Sequence, residues 1–478
     1  MAAIHKLAFS TAVMASVNVL RLVAQFFALP ILSRILSPED YGLAGIAMPF
    51  VTFALILADS GIGLSLVRTP ASDRVVWSAS FWLSVFVGFI LALIMAASAP
   101  LVARIFAEPR LSSIIATLAF VICAQSVCTI PSVSLRQDHR FKLIATIEVV
   151  SIACGIGLAI FVALHGGGVW ALVIQQLGFF ASRLTLTLCL SRFRPQMRFN
   201  WKGLREHLIF GRNILSVNIL ELFSRSLDNL IVGKILGPAP VGIYSMAFLF
   251  VRLPFMLVTV PLQFVIFTQL TALKNDIEAV RKLYLFLTSA LASLVLPVMC
   301  MVAIAHGPFF NLLLSQKWSA SSTLFMLVAP IGAVQAVTAI GGTVTMALGR
   351  SDIQLRIAAE FGIVWIIALI SSVSFGLDTV AIGYDCAVLL YVPRSLSLTL
   401  PLIGCSVTAY LWVFAVPVFI TAGVTSVFWL IIHMFRLGDW NQLWVAALLA
   451  GLGVTVGALY LYRGRFWPTY NVQAPSRP

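Results

Sequence analysis

A chain of 478 residues with 60% apolar and only 10% charged side chains, and a mean hydropathy of +1.02, has too few charges to coat a water-facing surface, for which roughly a quarter is needed. A water-soluble fold is excluded, and the solvent is lipid. The formal net charge of +14 then has to be read from its placement rather than its size.

Apolar runs long enough to cross a hydrocarbon core ~30 Å thick, at about 1.5 Å per residue, follow one another near 7–32, 43–67, 76–98, 111–135, 141–164, 168–190, 207–235, 241–269, 283–305, 321–348, 353–375, 378–400, 405–433 and 441–462. The expected fold is an all-α polytopic membrane protein of about 14 transmembrane helices. The first run has Lys6 ahead of it, as a secretory signal would, but it continues through Arg21 to Leu32 without a clear cleavage site and reads as a retained helix. The longest polar stretches, Ser191–Glu206 and the tail from Arg463, are about 16 residues each, too short to fold as domains. Cys123, Cys128, Cys154, Cys189, Cys300, Cys386 and Cys405 all fall in apolar segments with no CxxC pair, and read as packing residues.

The basic residues are banded. With the N-terminus inside, the inner loops and both ends collect about 20 of them, among them Arg136, Arg140, Arg192, Arg194, Arg350 and Arg394, against about 6 in the opposite loops, Arg34, Arg104, Arg110, Lys234, Lys317 and Arg436. That asymmetry is the positive-inside rule, and it puts both termini in the cytoplasm and makes the number of spans even. Nucleic acid is not a partner, because no basic stripe is interleaved with base-stacking aromatics on a soluble surface. Five basic residues remain within or at the edge of spans: Arg21, Arg183, Arg212, Arg225 and Arg252.

Sliding the sequence against itself by 200 positions aligns Ser16–Leu57 with Ser216–Leu257 without a gap, with 14 identities in 42 positions. Chance matching between apolar helices rarely reaches a third identity, and it does not explain the shared loop pattern of Pro38 and Gly42 with Pro238 and Gly242. The expected organisation is a six-helix bundle in 1–200, a second in 201–400, and two further helices with a cytoplasmic tail in 401–478. Six is even, so the repeats are parallel and two bundles face one another across a cavity, the design of an alternating-access transporter.

Ionisable side chains at mid-membrane cost about 2.5–3.5 kcal/mol or more and normally face a partner or a water-filled cavity. Asn18, Arg21 and Gln25 are spaced to fall on one face of the first helix, and the repeat puts Asn218, Glu221 and Arg225 at the equivalent places of the seventh, with Asp228 one turn on. Arg225 has Glu221 and Asp228 within helical reach, so this trio can simply neutralise itself. Arg21 has no acid at such spacing, which makes it the better anion-binding candidate. Arg252, beside Pro254 and ahead of Pro261, sits on a helix expected to bend, and it can either gate a cavity or snorkel to the interface, as Arg212 is expected to do. The acids in or near spans, Asp59, Glu148, Glu221, Asp228, Glu360 and Asp385, are candidates for ion coupling or charge pairing, and Asp59 alternatively caps a helix end.

There is no phosphate loop around Gly233 and Lys234, and His5, His139, His165, His207, His306 and His433 form no metal-ligating cluster. The chain reads as a transporter without cofactor or metal rather than an enzyme, and a lipid-dependent glycosyltransferase has no room for its extramembrane loop.

Several segments, in order, are familiar: Leu36–Gly42 (LSPEDYG), Asp59–Gly63 (DSGIG), Arg136–Lys142 (RQDHRFK), Gly168–Val173 (GVWALV), Phe193–Pro195 (FRP), Phe210–Gly211, Leu227–Gly237 (LDNLIVGKILG) followed by Gly242–Tyr244, and Gln316–Trp318. Together they resemble the polysaccharide-export branch of the multidrug/oligosaccharidyl-lipid/polysaccharide flippase superfamily. The resemblance implies an inner-membrane flippase that moves undecaprenyl-pyrophosphate-linked oligosaccharide units from the cytoplasmic to the periplasmic leaflet, for O-antigen, exopolysaccharide or capsule. It also implies cavity arginines on the first and eighth helices, which correspond in helix position to Arg21 and Arg252. A polysaccharide polymerase and export machinery are the protein partners such a role brings. Two rivals stand beside it: a cation-coupled drug exporter of the same superfamily, which favours acids and aromatics over arginines, and a non-transporting scaffold of a polysaccharide assembly machine.

Overall fold

The computed structural model describes residues 21, 24–59, 66, 74–197, 226–435 and 437–463. They are helical almost throughout. In chain order the helices are α1 (Ala24–Ile35), α2 (Pro38–Asp59), α3 (Arg74–Ile105), α4 (Arg110–Gln137), α5 (Phe141–Leu164), α6 (Trp170–Leu190), α7 (226–236), α8 (Pro238–Ala272), α9 (Ile277–Ile304), α10 (Gln316–Ala347), α11 (Ser351–Val373), α12 (Leu377–Ile403), α13 (Val407–Phe435) and α14 (Asp439–Arg463). Among the described residues twelve of these are long and apolar enough to cross a membrane. The first and seventh expected spans, near 7–32 and 207–235, lie largely outside the described residues, where α1 and α7 are their C-terminal ends. Three of the residues expected in the outer loops are corrected: Arg34, Arg104 and Lys234 stand in the last turns of α1, α3 and α7, where a cation answers the helix dipole.

The chain divides into two compact units, Met1–Ile243 and Tyr244–Pro478. In the first, α3 packs along α4 and α5 along α6 as antiparallel hairpins. The FRP segment after α6 is pinned to α3. Phe193 packs on Trp77 and Phe81, the Gln196 carbonyl accepts from the Trp82 indole at 3.0 Å, and the Gln196 amide donates to Ser78 Oγ at 3.0 Å.

The start of α2 shows why the repeated Pro-x-x-x-Gly matters. Pro38 opens the helix at the position where a missing N–H is harmless. Ser37 and Asp40 cap it reciprocally, the Ser37 amide donating to Asp40 Oδ2 at 2.9 Å and the Asp40 amide to Ser37 Oγ at 3.2 Å. In the second copy Gly237 replaces the serine, with a left-handed φ of +90°. The two helix starts then cross reciprocally. A Cβ on Gly42 would lie 1.7 Å from the Pro238 carbonyl oxygen, and one on Gly242 would lie 1.8 Å from that of Pro38. Only glycine permits this approach, and the duplicated motif is therefore a duplicated contact.

In the second unit α9 lies against α10, α13 and α14, while α11 and α12 form a hairpin at its side. Burial separates inner from outer helices: 61% of the apolar window of α9 is buried within the fold, against 6% for α11. Helix α8 is irregular where its prolines predicted a bend. Between Pro254 and Pro261 it widens into a π turn, Phe255–Thr259, with the Val260 amide reaching back to the Phe255 carbonyl. Each proline lacks the amide that would continue the α ladder, and the shifted register is one way to close the gap.

A candidate anion site in the first unit

The glycine-mediated contact of α5 with α6 sets this site. A Cβ on Gly155 would lie 2.7 Å from the Gln175 carbonyl oxygen and 3.2 Å from Phe179 Cβ, so the α6 backbone comes close there and carries Phe179 and Arg183 against α5. Arg183 Nη2 pairs with Glu148 Oε1 on α5 at 3.1 Å, with both side chains under a fifth exposed, and its Nη1 donates to Gln125 Oε1 on α4 at 3.2 Å. Its guanidinium carbon is 6.0 Å from the Phe179 ring centroid. The same ring receives Arg21, whose guanidinium carbon stands 5.9 Å from the centroid. Two arginines far apart in the chain thus share one aromatic ring, a contact the ring quadrupole favours.

Depth along the helices is consistent. Counting about 1.5 Å per residue from the helix ends at Arg110, Leu164 and Trp170, the residues Gln125, Glu148 and Arg183 fall in one layer about 20–24 Å in, and Arg21 joins them at the Phe179 ring. Arg183 is neutralised by Glu148. Arg21 is exposed, and among the described residues it has no ion pair or hydrogen bond, so the layer offers one uncommitted guanidinium beside a paired one. A planar five-donor cation suits phosphate oxygens.

The other sequence candidates fare differently. Gln25 is exposed one turn after Arg21. Asp228 is buried at 6% exposure, with its Oδ1 accepting from the Asn229 amide at 2.9 Å. Arg252, in the second unit, is exposed with its guanidinium carbon 5.9 Å from the Phe248 ring. Asp59 ends α2, and its side chain lies outside the described residues, as do Asn18, Asn218, Glu221 and Arg225. Glu360 is an ion-pair residue, held by Arg356 at 2.7 Å and Arg394 at 3.1 Å. Asp385 keeps Oδ1 buried without a hydrogen-bond partner among the described residues. The sequence reading missed Phe179 and Gln125 and did not join Arg183 to Glu148. A signal was there: Gln176, Phe179 and Arg183 repeat at i, i+3, i+7 along one face of α6.

A family model described as "Polysaccharide biosynthesis protein" matches residues 31–323. The chain belongs to that family. Among relatives of this polysaccharide biosynthesis protein, the teichuronic acid biosynthesis protein TuaB of Bacillus subtilis is 23% identical over 344 residues, covering 68% of this chain and 71% of TuaB. The lipopolysaccharide biosynthesis protein WzxC of Escherichia coli is 23% identical over 334 residues, covering 68% of this chain and 67% of WzxC. Among solved structures, the lipid II flippase MurJ in an inward closed conformation superposes with a TM-score of 0.71 at 15% identity, over 93% of this chain and 99% of that one. The fold is the polytopic helical fold of that structure, and the polysaccharide-export resemblance read from the sequence agrees with the family.

Proposed function

We propose that this family member is a lipid-linked oligosaccharide flippase, carrying a polyprenyl-diphosphate-linked glycan, undecaprenyl diphosphate being the expected carrier, from the cytoplasmic to the outer leaflet of a bacterial inner membrane. The observation that carries the reading is the Arg21–Phe179–Arg183 layer, in which one guanidinium is committed to Glu148 and the other is open to a ligand. A diphosphate bridging into this layer gains charge-assisted hydrogen bonds from the open guanidinium. Two parallel six-helix repeats in 1–200 and 201–400 working by alternating access, and both termini in the cytoplasm, complete the proposal. Asn18, Gln25, Asn218, Arg225 and Arg252 are its further cavity residues, and Asp59, Glu221 and Asp228 its candidates for ion coupling or charge pairing. A drug exporter would carry organic cations, which an uncommitted arginine repels.

The test is flipping of a fluorescent undecaprenyl-diphosphate glycan in proteoliposomes, comparing wild type with Arg21→Ala and Arg21→Lys. Transport that collapses in the alanine variant and partly returns with lysine, at unchanged thermal stability, supports diphosphate capture. No wild-type flipping, with uptake of an organic cation instead, overturns it.

A further inference from the structure

The second unit holds a half-open cavity of about 360 Å³ among α8, α10, α11 and α12. Two helix irregularities face each other beside it. The π turn of α8 lies opposite a break in α10 at Ala339. Thr259 Oγ1 donates to the Ala336 carbonyl at 3.1 Å, and Gln263 Nε2 to the Ala339 carbonyl at 3.1 Å. Irregular backbone inside a membrane is tolerated where it is packed in protein or lines a polar cavity, and π turns gather at functional sites.

Three glutamines line this cavity, Gln263, Gln335 and Gln354. Two are fixed at one end of the amide, Gln263 by the Ala339 carbonyl and Gln335 through the Tyr384 hydroxyl that donates to its Oε1, whereas Gln354 Oε1 lies 3.4 Å from Thr345 Oγ1, whose proton goes to the Gly342 carbonyl at 2.8 Å. The other ends, Gln263 Oε1, Gln335 Nε2 and Gln354 Nε2, have no hydrogen bond among the described residues. These half-buried amide ends are available to hydrogen-bond a ligand or water in the cavity. Phe361 and Tyr391, 5.6 Å apart between ring centroids, add an aromatic wall. Among the described residues no charged side chain lines the cavity. The charges nearest this wall are bound to one another, with Tyr391 donating to Glu360 at 3.3 Å and Glu360 held by Arg356 and Arg394.

We infer that this amide-walled cavity is a binding site for an uncharged sugar of the glycan head group. The inference rests on the flippase reading and adds the substrate class. Pre-oriented amide donors and an acceptor match the alternating hydroxyls of a pyranose, and flat rings match its C–H faces. The cavity volume, at the lower end of the roughly 300–1,000 Å³ range of small-molecule sites, suits a mono- or disaccharide. A hexuronate finds no cation inside to answer its carboxylate, and a metal ion finds no carboxylate to hold it.

The experiment uses proteoliposomes and three fluorescent polyprenyl-diphosphate lipids, bearing one neutral hexose, one hexuronate, or no sugar. Wild type is expected to flip the hexose lipid fastest. Gln335→Leu and Gln354→Leu are expected to lower the ratio of hexose-lipid to bare-lipid flipping about tenfold, the effect of one or two lost hydrogen bonds to a bound hydroxyl, whereas Arg21→Ala lowers both rates together. Thr343→Val, on the same wall, is a third variant should a glutamine variant not fold, and it is expected to lower that ratio in the same direction. Equal wild-type flipping of hexose and hexuronate lipids, or a ratio unchanged in the folded variants, overturns the sugar site while leaving the flippase standing. A wild type that moves none of the three lipids overturns the flippase itself.

Discussion

The reciprocal crossing of α2 and α8 makes a quantitative prediction about Gly42→Ala and Gly242→Ala. The added Cβ atoms would stand 1.7 and 1.8 Å from the facing carbonyl oxygens, so the backbones must part by about 1.3 Å before either contact reaches the shortest tolerable distance. Overpacking of this kind costs about 1–3 kcal/mol, offset by up to ~1 kcal/mol because alanine favours helix over glycine. Each single variant is therefore expected to lose about 1–2 kcal/mol. The double variant should lose little more than one single, because the same separation accommodates both methyl groups, a coupling that a double-mutant cycle isolates. Thermal unfolding in detergent, followed by helicity and by size-exclusion, measures it. Additive losses, or single variants as stable as wild type, refute the idea that the repeated glycines exist for this crossing.

Removing Glu148 strands the Arg183 guanidinium in a site under a fifth exposed. Glu148→Ala is expected to cost about 3 kcal/mol, with Glu148→Ala/Arg183→Met recovering part of it, and a double variant no more stable than Glu148→Ala contradicts the pairing. Asp385 carries a buried carboxyl oxygen without a hydrogen-bond partner among the described residues, so Asp385→Asn should raise the unfolding temperature without slowing transport. A lowered temperature argues against that reading. At the turn before α4, Arg110 bonds Glu39 and donates to Glu108 at 2.7 Å, and it holds the Glu108 carboxyl below its ordinary value of 4.5. A depressed carboxyl contributes stability above its unfolded pKa and loses it as pH falls through the folded one. Stability should thus decline below about pH 4.5 less steeply in Arg110→Gln than in wild type, and parallel pH curves would contradict it.

Chain-local physics was legible in the sequence. A run of apolar residues has to become a helix across a bilayer because no other single-segment structure satisfies its backbone there, and every described span lies where hydropathy put it. Pro254 and Pro261 announced the irregular α8 because a missing amide acts on its own helix. The Pro-x-x-x-Gly repeat was visible as text, and the family resemblance followed from ordered short motifs. Which helices lie side by side was not legible. Between apolar helices the bilayer supplies no preference, so lateral partners are chosen by small-residue contacts such as Gly155 against Gln175. Arg183 meets Glu148 and Gln125 only after that choice, and Arg21 comes to share Phe179 by the same route. The glutamine cavity depends on it still more. Gln263, Gln335 and Gln354 have no common spacing, and only the docking of the α8 π turn against the break in α10 brings them to one wall. Sequence alone determined the membrane and the helices, because each follows from forces acting along the chain. The charged layer and the amide cavity were decided by tertiary packing, because they exist only where separate helices touch.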